Sequence, residues 1–184
     1  MKYYSQMLDM GSFDRNAVIE LTGSDGAARS IIYDYLNKGY IERVRRDYYV
    51  AISMETRQPV LNRYQLASRM FTDAYQTHHS AFEAYGFANQ TYYMVYVATD
   101  RKFDEFEYNG VFYHRVERRL GAEVIEDDGI RVTSIEQTVV DSIKDYEKIA
   151  GLEEVLRCLE LITTLDEEKI LAALARYNNT FLYQ

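Results

Sequence analysis

Arg43, Arg45 and Arg46 crowd into four residues of a β-prone segment, and Arg29, Ser30 and Tyr33 lie upstream within one stretch of helical periodicity. Guanidinium groups at a turn can neutralise backbone phosphates, while an arginine and short polar groups in the first turns of a helix can reach base edges in a major groove. The chemistry suggested is therefore recognition of a nucleic-acid duplex. A solvated charged hairpin would carry the same residue types without that purpose.

The elements needed to aim these side chains can be read from their surroundings. Ala17, Val18 and Leu21 give a short helix one apolar side before Thr22-Gly23 interrupts it. Ser24 is placed to cap a second helix running to Lys38. On that helix Ala28, Ile31, Ile32, Tyr35 and Leu36 share one face, and Gly26, Arg29, Ser30, Tyr33 and Asn37 share the other. Gly39 is placed to end it. The runs 40–44 and 48–51 then read as a two-stranded hairpin turning at Arg45-Arg46-Asp47.

Helix, helix and basic hairpin in this order predict a winged helix-turn-helix over residues 1–55. The expected DNA-contacting set is Ser24, Gly26, Arg29, Ser30 and Tyr33 on the helix, with Arg43, Arg45, Arg46 and Tyr48 on the wing. Arg29, Ser30 and Tyr33 would read bases, the wing arginines would grip phosphates, and Tyr33 and Tyr48 lie where they could touch the DNA backbone. The alternative is the same scaffold docking onto a protein, without DNA.

The chain of 184 residues is 47% hydrophobic, enough for this module and a second domain with its own core. Its net charge of -8 is unevenly divided: residues 1–60 hold eight Lys/Arg and eight Asp/Glu (8 - 8 = 0), and residues 61–184 hold thirteen against twenty-one (13 - 21 = -8). The acidic burden falls on the second part, so nonspecific DNA affinity is expected to be weak and paired sites important. No apolar run approaches the length of a membrane span and no leader opens the chain, so a cytoplasmic location is expected. Cys158, the single cysteine, lies in an apolar helical pattern and is expected to be a buried, inert thiol.

The polar stretch Ser53–Pro59 marks the expected boundary, and residues 60–184 read as an α+β domain. It is expected to open with a helix over 61–75 and a turn at Gln76-Thr77, followed by a short helix boxed by Ser80 and Glu83 and stopped by Gly86. Residues 91–99 form a β-prone run, and hairpins are expected at Asn109-Gly110 and Asp128-Gly129. Capping boxes at Thr133/Glu136 and Thr164/Glu167 open later helices, the last two forming a terminal helical hairpin over 151–162 and 165–177.

Other constellations carry weaker chemistry. His78, His79 and His114 could be imagined as metal ligands, but adjacent histidines diverge on a regular backbone and no cysteine or clustered carboxylate completes a site, so they are read as packing or capping residues and no metal or cofactor is expected. Asp100 and Lys102 with Glu83 or Asp104 could serve a metal-dependent nuclease, although such pairs arise by chance in a chain this charged. No phosphate-binding glycine loop or nucleophile elbow is present, and a non-enzymatic protein is expected. Arg115, Arg118 and Arg119 form a second basic patch, read either as a binding surface or as partners of Glu117, Glu123 and Glu126.

In order along the chain, KGYIERVRRDYYV, HHSAFEAYGF, GIRVTSIEQTVVDSI, GLEEVLRCLELI and LDEEKILAALARYNN resemble the AbiEi-type antitoxins of bacterial type IV toxin-antitoxin and phage-defence (abortive infection) systems. The resemblance implies a transcriptional repressor that binds inverted repeats in its own operon through the N-terminal winged helix, with self-association on DNA. It also implies that the second domain counters a nucleotidyltransferase-like toxin without a stable complex. Relatives often have glycine at the position of Asp47, and many are longer.

Overall fold

The computed structural model describes residues 2–147, 149 and 151–177. The fold is mixed α+β, with eight helices and two sheets among the described residues. The last two asparagines of the LDEEKILAALARYNN segment lie outside that range.

The chain begins with helix α1 (Tyr4–Met10) and strand β1 (Ser12–Asp14), neither anticipated from sequence; Gly11 links them at φ 71°. Helix α2 (Arg15–Thr22) follows, capped by the Asp14 carboxylate accepting from Ala17 N, and Gly23 ends it in the left-handed conformation. Helix α3 (Asp25–Asn37) starts as expected from Ser24, whose hydroxyl accepts from Ala27 N. Strands β2 (Ile41–Arg45) and β3 (Tyr48–Ala51) form the hairpin, and β1 adds antiparallel to β3 in the order β1-β3-β2.

Alternation along β3 decides how this region meets the rest. Tyr49 and Ala51 enter a core with Met7, Phe13, Val18, Ala28, Ile32 and Ile41. Tyr48, Val50 and Ile52 point the other way, into a second core with Leu66, Ala67, Met70, Val95, Val97 and Tyr113. Strand β3 is thus buried on both faces and belongs to two cores. The expected linker Ser53–Pro59 is a tight reversal, with Ser53 N donating to Gln58 O and Ile52 bridged to Pro59.

The remaining elements are α4 (Arg63–Arg69), β4 (Tyr75–Gln76), α5 (His78–Tyr85), β5 (Met94–Thr99), β6 (Phe106–Tyr108), β7 (Val111–Glu117), β8 (Val124–Asp127), β9 (Ile130–Thr133), α6 (Ile135–Lys144), α7 (Leu152–Glu160) and α8 (Glu167–Ala175). Their six-stranded sheet runs β6-β7-β5-β4-β9-β8, with β5/β7 and β4/β9 parallel and the other pairs antiparallel. Both expected hairpin turns form, with positive φ at Asn109-Gly110 and at Asp128-Gly129.

Several sequence expectations are corrected. The helix expected to reach Tyr75 ends at Arg69, and Gln76, expected in a turn, lies in the middle strand β4. Its amide donates to Tyr64 O and Ser68 Oγ, so a side chain that looked like a surface turn residue ties the sheet to α4. Ser80 caps nothing: α5 starts two residues earlier, and the Ser80 hydroxyl accepts from Tyr96 N. Ser134 and Asp166, rather than Thr133 and Thr164, cap α6 and α8. No helix among the described residues is long and apolar enough to cross a membrane.

Candidate nucleic-acid interface

Helix α3 presents the expected polar face. Its apolar side is fixed by burial of Ala28, Ile32 and Tyr35, so Gly26, Arg29, Ser30, Tyr33 and Asn37 point to solvent, and Ser24 is exposed at its start. Tyr33 is 71% exposed, far more than an aromatic ring retains when it serves a core. Arg29 reaches back one turn to Asp25 at 2.9 Å, and the same carboxylate is held by Arg15. Asp25 therefore holds Arg29 along the helix surface in a solvent-exposed pair that a phosphate or a base can displace cheaply.

The wing residues separate into three kinds. Arg46 stands at the tip with 95% of its side chain exposed, in a long ion pair with Asp47 at 3.7 Å. Arg43 is exposed, its guanidinium 5.9 Å from the Tyr49 ring. Arg45 is half-buried: it lies over the Phe71 ring, its Nε meets no acceptor among the described residues, and burial holds its pKa below the ordinary arginine value.

Tyr48 is not available to DNA. Its ring is buried, its hydroxyl bonds to Ser12 Oγ at 2.8 Å and Leu66 O at 3.1 Å, and burial pushes its pKa up to about 12. The reason is strand parity: the side of β3 expected to face solvent is covered by α4 and β5.

The turn itself needs an unusual backbone. Asp47 sits at φ 55°, a left-handed conformation that glycine adopts freely and most residues avoid.

The second sheet brings further cations to the wing. An open cleft of about 640 Å³ is lined by Arg45, Arg46, Lys102, Phe103, Asp104, Glu105, Phe106 and Arg115. A neighbouring cleft of about 620 Å³ runs from Arg45, Arg46 and Asp47 to Asp14, Arg15 and Asp25 at the start of α2 and α3. Lys102 beside Arg46 was missed because the two are far apart in sequence; only the pairing of β5 with β7 and the packing of β6 on β2 bring them together.

The second basic patch does not act as one cluster. Arg118 pairs with Asp100 at 2.9 Å, Arg115 donates to the carbonyls of Arg101 and Thr99, and Arg119 lies over Tyr177 at 4.1 Å. Among the described residues two of the expected acidic partners pair elsewhere, Glu123 with Lys169 and Glu126 with Arg131. Only Arg115 reaches the wing cleft.

The residues of the nuclease alternative are not assembled either. Asp100 is engaged by Arg118, while Glu83, on helix α5, accepts from Arg63, Tyr64 and the Tyr92 amide.

The histidines diverge, as their adjacency suggested. His78, at φ 56° in a polar cleft of about 260 Å³, faces Asp145 at 3.5 Å. His114 pairs with Glu105 at 2.5 Å. His79 is buried between Glu83 and Glu154 and lies beside Cys158, which corrects the expectation that no cysteine or clustered carboxylate would join a histidine: the partners come from α7, far along the chain. Cys158 is buried as expected.

No known family matches the chain, and no curated protein matches it.

Proposed function

We propose that the protein is a sequence-specific DNA-binding repressor in which residues 1–55 act as a winged helix-turn-helix. One observation carries this reading: α3 holds an uncovered polar stripe of Gly26, Arg29, Ser30, Tyr33 and Asn37 beside a wing tip whose Arg46 is fully extended into solvent. Arg29, Ser30 and Tyr33 read bases; Arg43 and Arg46 contact phosphates; Lys102 and Arg115 flank the wing. Arg45 supports the wing more than it grips DNA.

With the net charge of -8 concentrated outside the first 60 residues, a single copy binds weakly and two copies share an inverted repeat. The resemblance in sequence to AbiEi-type antitoxins supports assigning the repressor to its own operon and the second α+β unit to the countering of a nucleotidyltransferase-like toxin without a stable complex. Footprinting on the DNA upstream of the gene tests the repressor part, with two protected half-sites in inverted orientation expected. Co-expression with the neighbouring toxin frame tests the antitoxin part, with restored growth expected from the full chain.

A second reading, a module that binds protein, is favoured by the exposed leucines Leu152 and Leu156 one turn apart on α7, with Leu161 just beyond it. That surface suits self-association of DNA-bound copies as well as a foreign partner. Binding to a promoter fragment that is insensitive to salt would favour the protein-binding reading over the DNA one.

A further inference from the structure

Two helices of the second unit each carry donor groups one turn apart: His79 and Glu83 on α5, and Glu154 and Cys158 on α7. They face one another in the interior. His79 Nδ1 is 3.0 Å from Glu83 Oε1, and His79 Nε2 is 3.4 Å from Glu154 Oε1, which is in turn 4.0 Å from Cys158 Sγ. One ligand atom from each of His79, Glu154 and Cys158 lies within 4.8 Å of the other two, and all three residues are buried.

We propose that His79 Nε2, Glu154 Oε1 and Cys158 Sγ form a binding site for a divalent cation of the zinc class. The donor set is an imidazole, a carboxylate and a thiol, which borderline-soft ions prefer and calcium or magnesium do not. The spacing is close to that required: tetrahedral zinc with ordinary bond lengths separates nitrogen from oxygen by about 3.3 Å and oxygen from sulfur by about 3.5 Å. The first distance is already met, the second is longer by about half an ångström, and the nitrogen–sulfur pair, within 4.8 Å, has likewise to close toward about 3.5 Å, which adjustment of the side-chain torsions can supply.

Two further features point to an ion. Glu83 Oε1 lies 3.0 Å from the buried His79 Nδ1, which makes no hydrogen bond among the described residues; with Nε2 on an ion, a carboxylate in that place can take the Nδ1 proton and fix the tautomer. Finally, a cavity of about 10 Å³, the size of one small occupant, is lined by His79, Ser142 and Cys158 among apolar side chains. Ser142 Oγ is buried there and has no hydrogen-bond partner among the described residues, so it is available to the ion or to a water completing the shell.

Without an ion, burial and the nearby Glu154 and Glu83 carboxylates push the Cys158 thiol up to about 12. Binding a cation reverses that balance: the sulfur–metal bond forms as the thiol proton leaves for solvent, and the ion's charge offsets Glu154. Bound metal would fasten α7 to α5. The site is independent of the DNA-binding reading and stands or falls separately.

The test uses the full chain, freed of metal by chelator and titrated with cobalt(II), then zinc(II). Because Cys158 is the sole cysteine, a thiolate-to-cobalt charge-transfer band can come from no other residue. The expected result is such a band saturating at one equivalent, its displacement by one equivalent of zinc, and a rise in melting temperature with zinc. Glu83→Gln, as a positioning variant, should weaken the ion by roughly 10- to 100-fold while keeping the band at saturation. Absence of the thiolate band in the wild-type chain, or zinc binding no tighter in wild type than in a folded Cys158→Ser variant, would overturn the site and leave His79 as a buried histidine bonded to Glu154.

Discussion

The guanidinium carbon of Arg45 lies 4.8 Å from the centre of the Phe71 ring and 6.0 Å from that of Tyr48. An arginine that looked from sequence like one of three equivalent phosphate contacts is instead a clamp between the hairpin and the segment after α4. Its neighbour Arg46, one residue along, points fully outward. The difference follows from the alternation of a strand entering its turn.

Replacing these two arginines should therefore give different phenotypes. Arg46→Ala should leave unfolding by urea within about 0.5 kcal/mol of wild type and reduce the salt slope of DNA binding by about 0.9. Arg45→Ala should cost about 1 kcal/mol of stability through lost packing on Phe71 and change the slope less. Equal stability effects would deny the clamp.

Tyr48→Phe removes a hydroxyl that bonds inside the protein. It should cost about 1 kcal/mol in stability and leave DNA affinity unchanged, as measured by denaturation and fluorescence anisotropy on the same preparations. A selective loss of affinity would return Tyr48 to the interface.

At the wing turn, Asp47→Gly should relieve a left-handed backbone unfavourable to a side chain and release Arg46 from its ion pair. Stability should rise by up to about 1 kcal/mol, and DNA should bind more tightly at low salt. A fall in stability would show that the Asp47 side chain is needed in that turn.

The hairpin turns, the stop of α2 at Gly23, the Ser24 cap of α3 and the polar face of α3 were legible because each depends on residues a few positions apart. Asn109-Gly110 and Ser24 are local signals that tertiary contacts left intact. What escaped depends on distant partners. The sequence around Gln76 could not reveal a middle strand, because its neighbours β5 and β9 come later in the chain. Tyr48 looked like a surface residue because the covering elements, α4 and β5, lie beyond the expected boundary. Cys158 and His79 are 79 positions apart by numbering (158 - 79 = 79) and meet only when α7 packs beside α5.

Acid should weaken the fold partly through Asp145. The neighbouring His78, with Lys144, holds its carboxyl well below the ordinary carboxylate range against the opposing effect of burial. A carboxyl depressed on folding contributes stability that is fully present above its unfolded value and is lost as the pH falls through its folded one. Urea midpoints measured downward from about pH 4, near the unfolded aspartate value, should therefore fall more steeply in wild type than in Asp145→Asn. Parallel curves would remove Asp145 from the account.

The most direct test of the central claim is the affinity of wild type and Arg29→Ala for the DNA upstream of the gene and for a scrambled duplex, across a salt series. Wild type should prefer the upstream fragment and weaken steeply with salt, whereas Arg29→Ala should lose most of that preference, a change of about 1–3 kcal/mol, while its binding to scrambled DNA falls little. If wild type binds both duplexes alike, or Arg29→Ala weakens both by the same factor, α3 does not read bases.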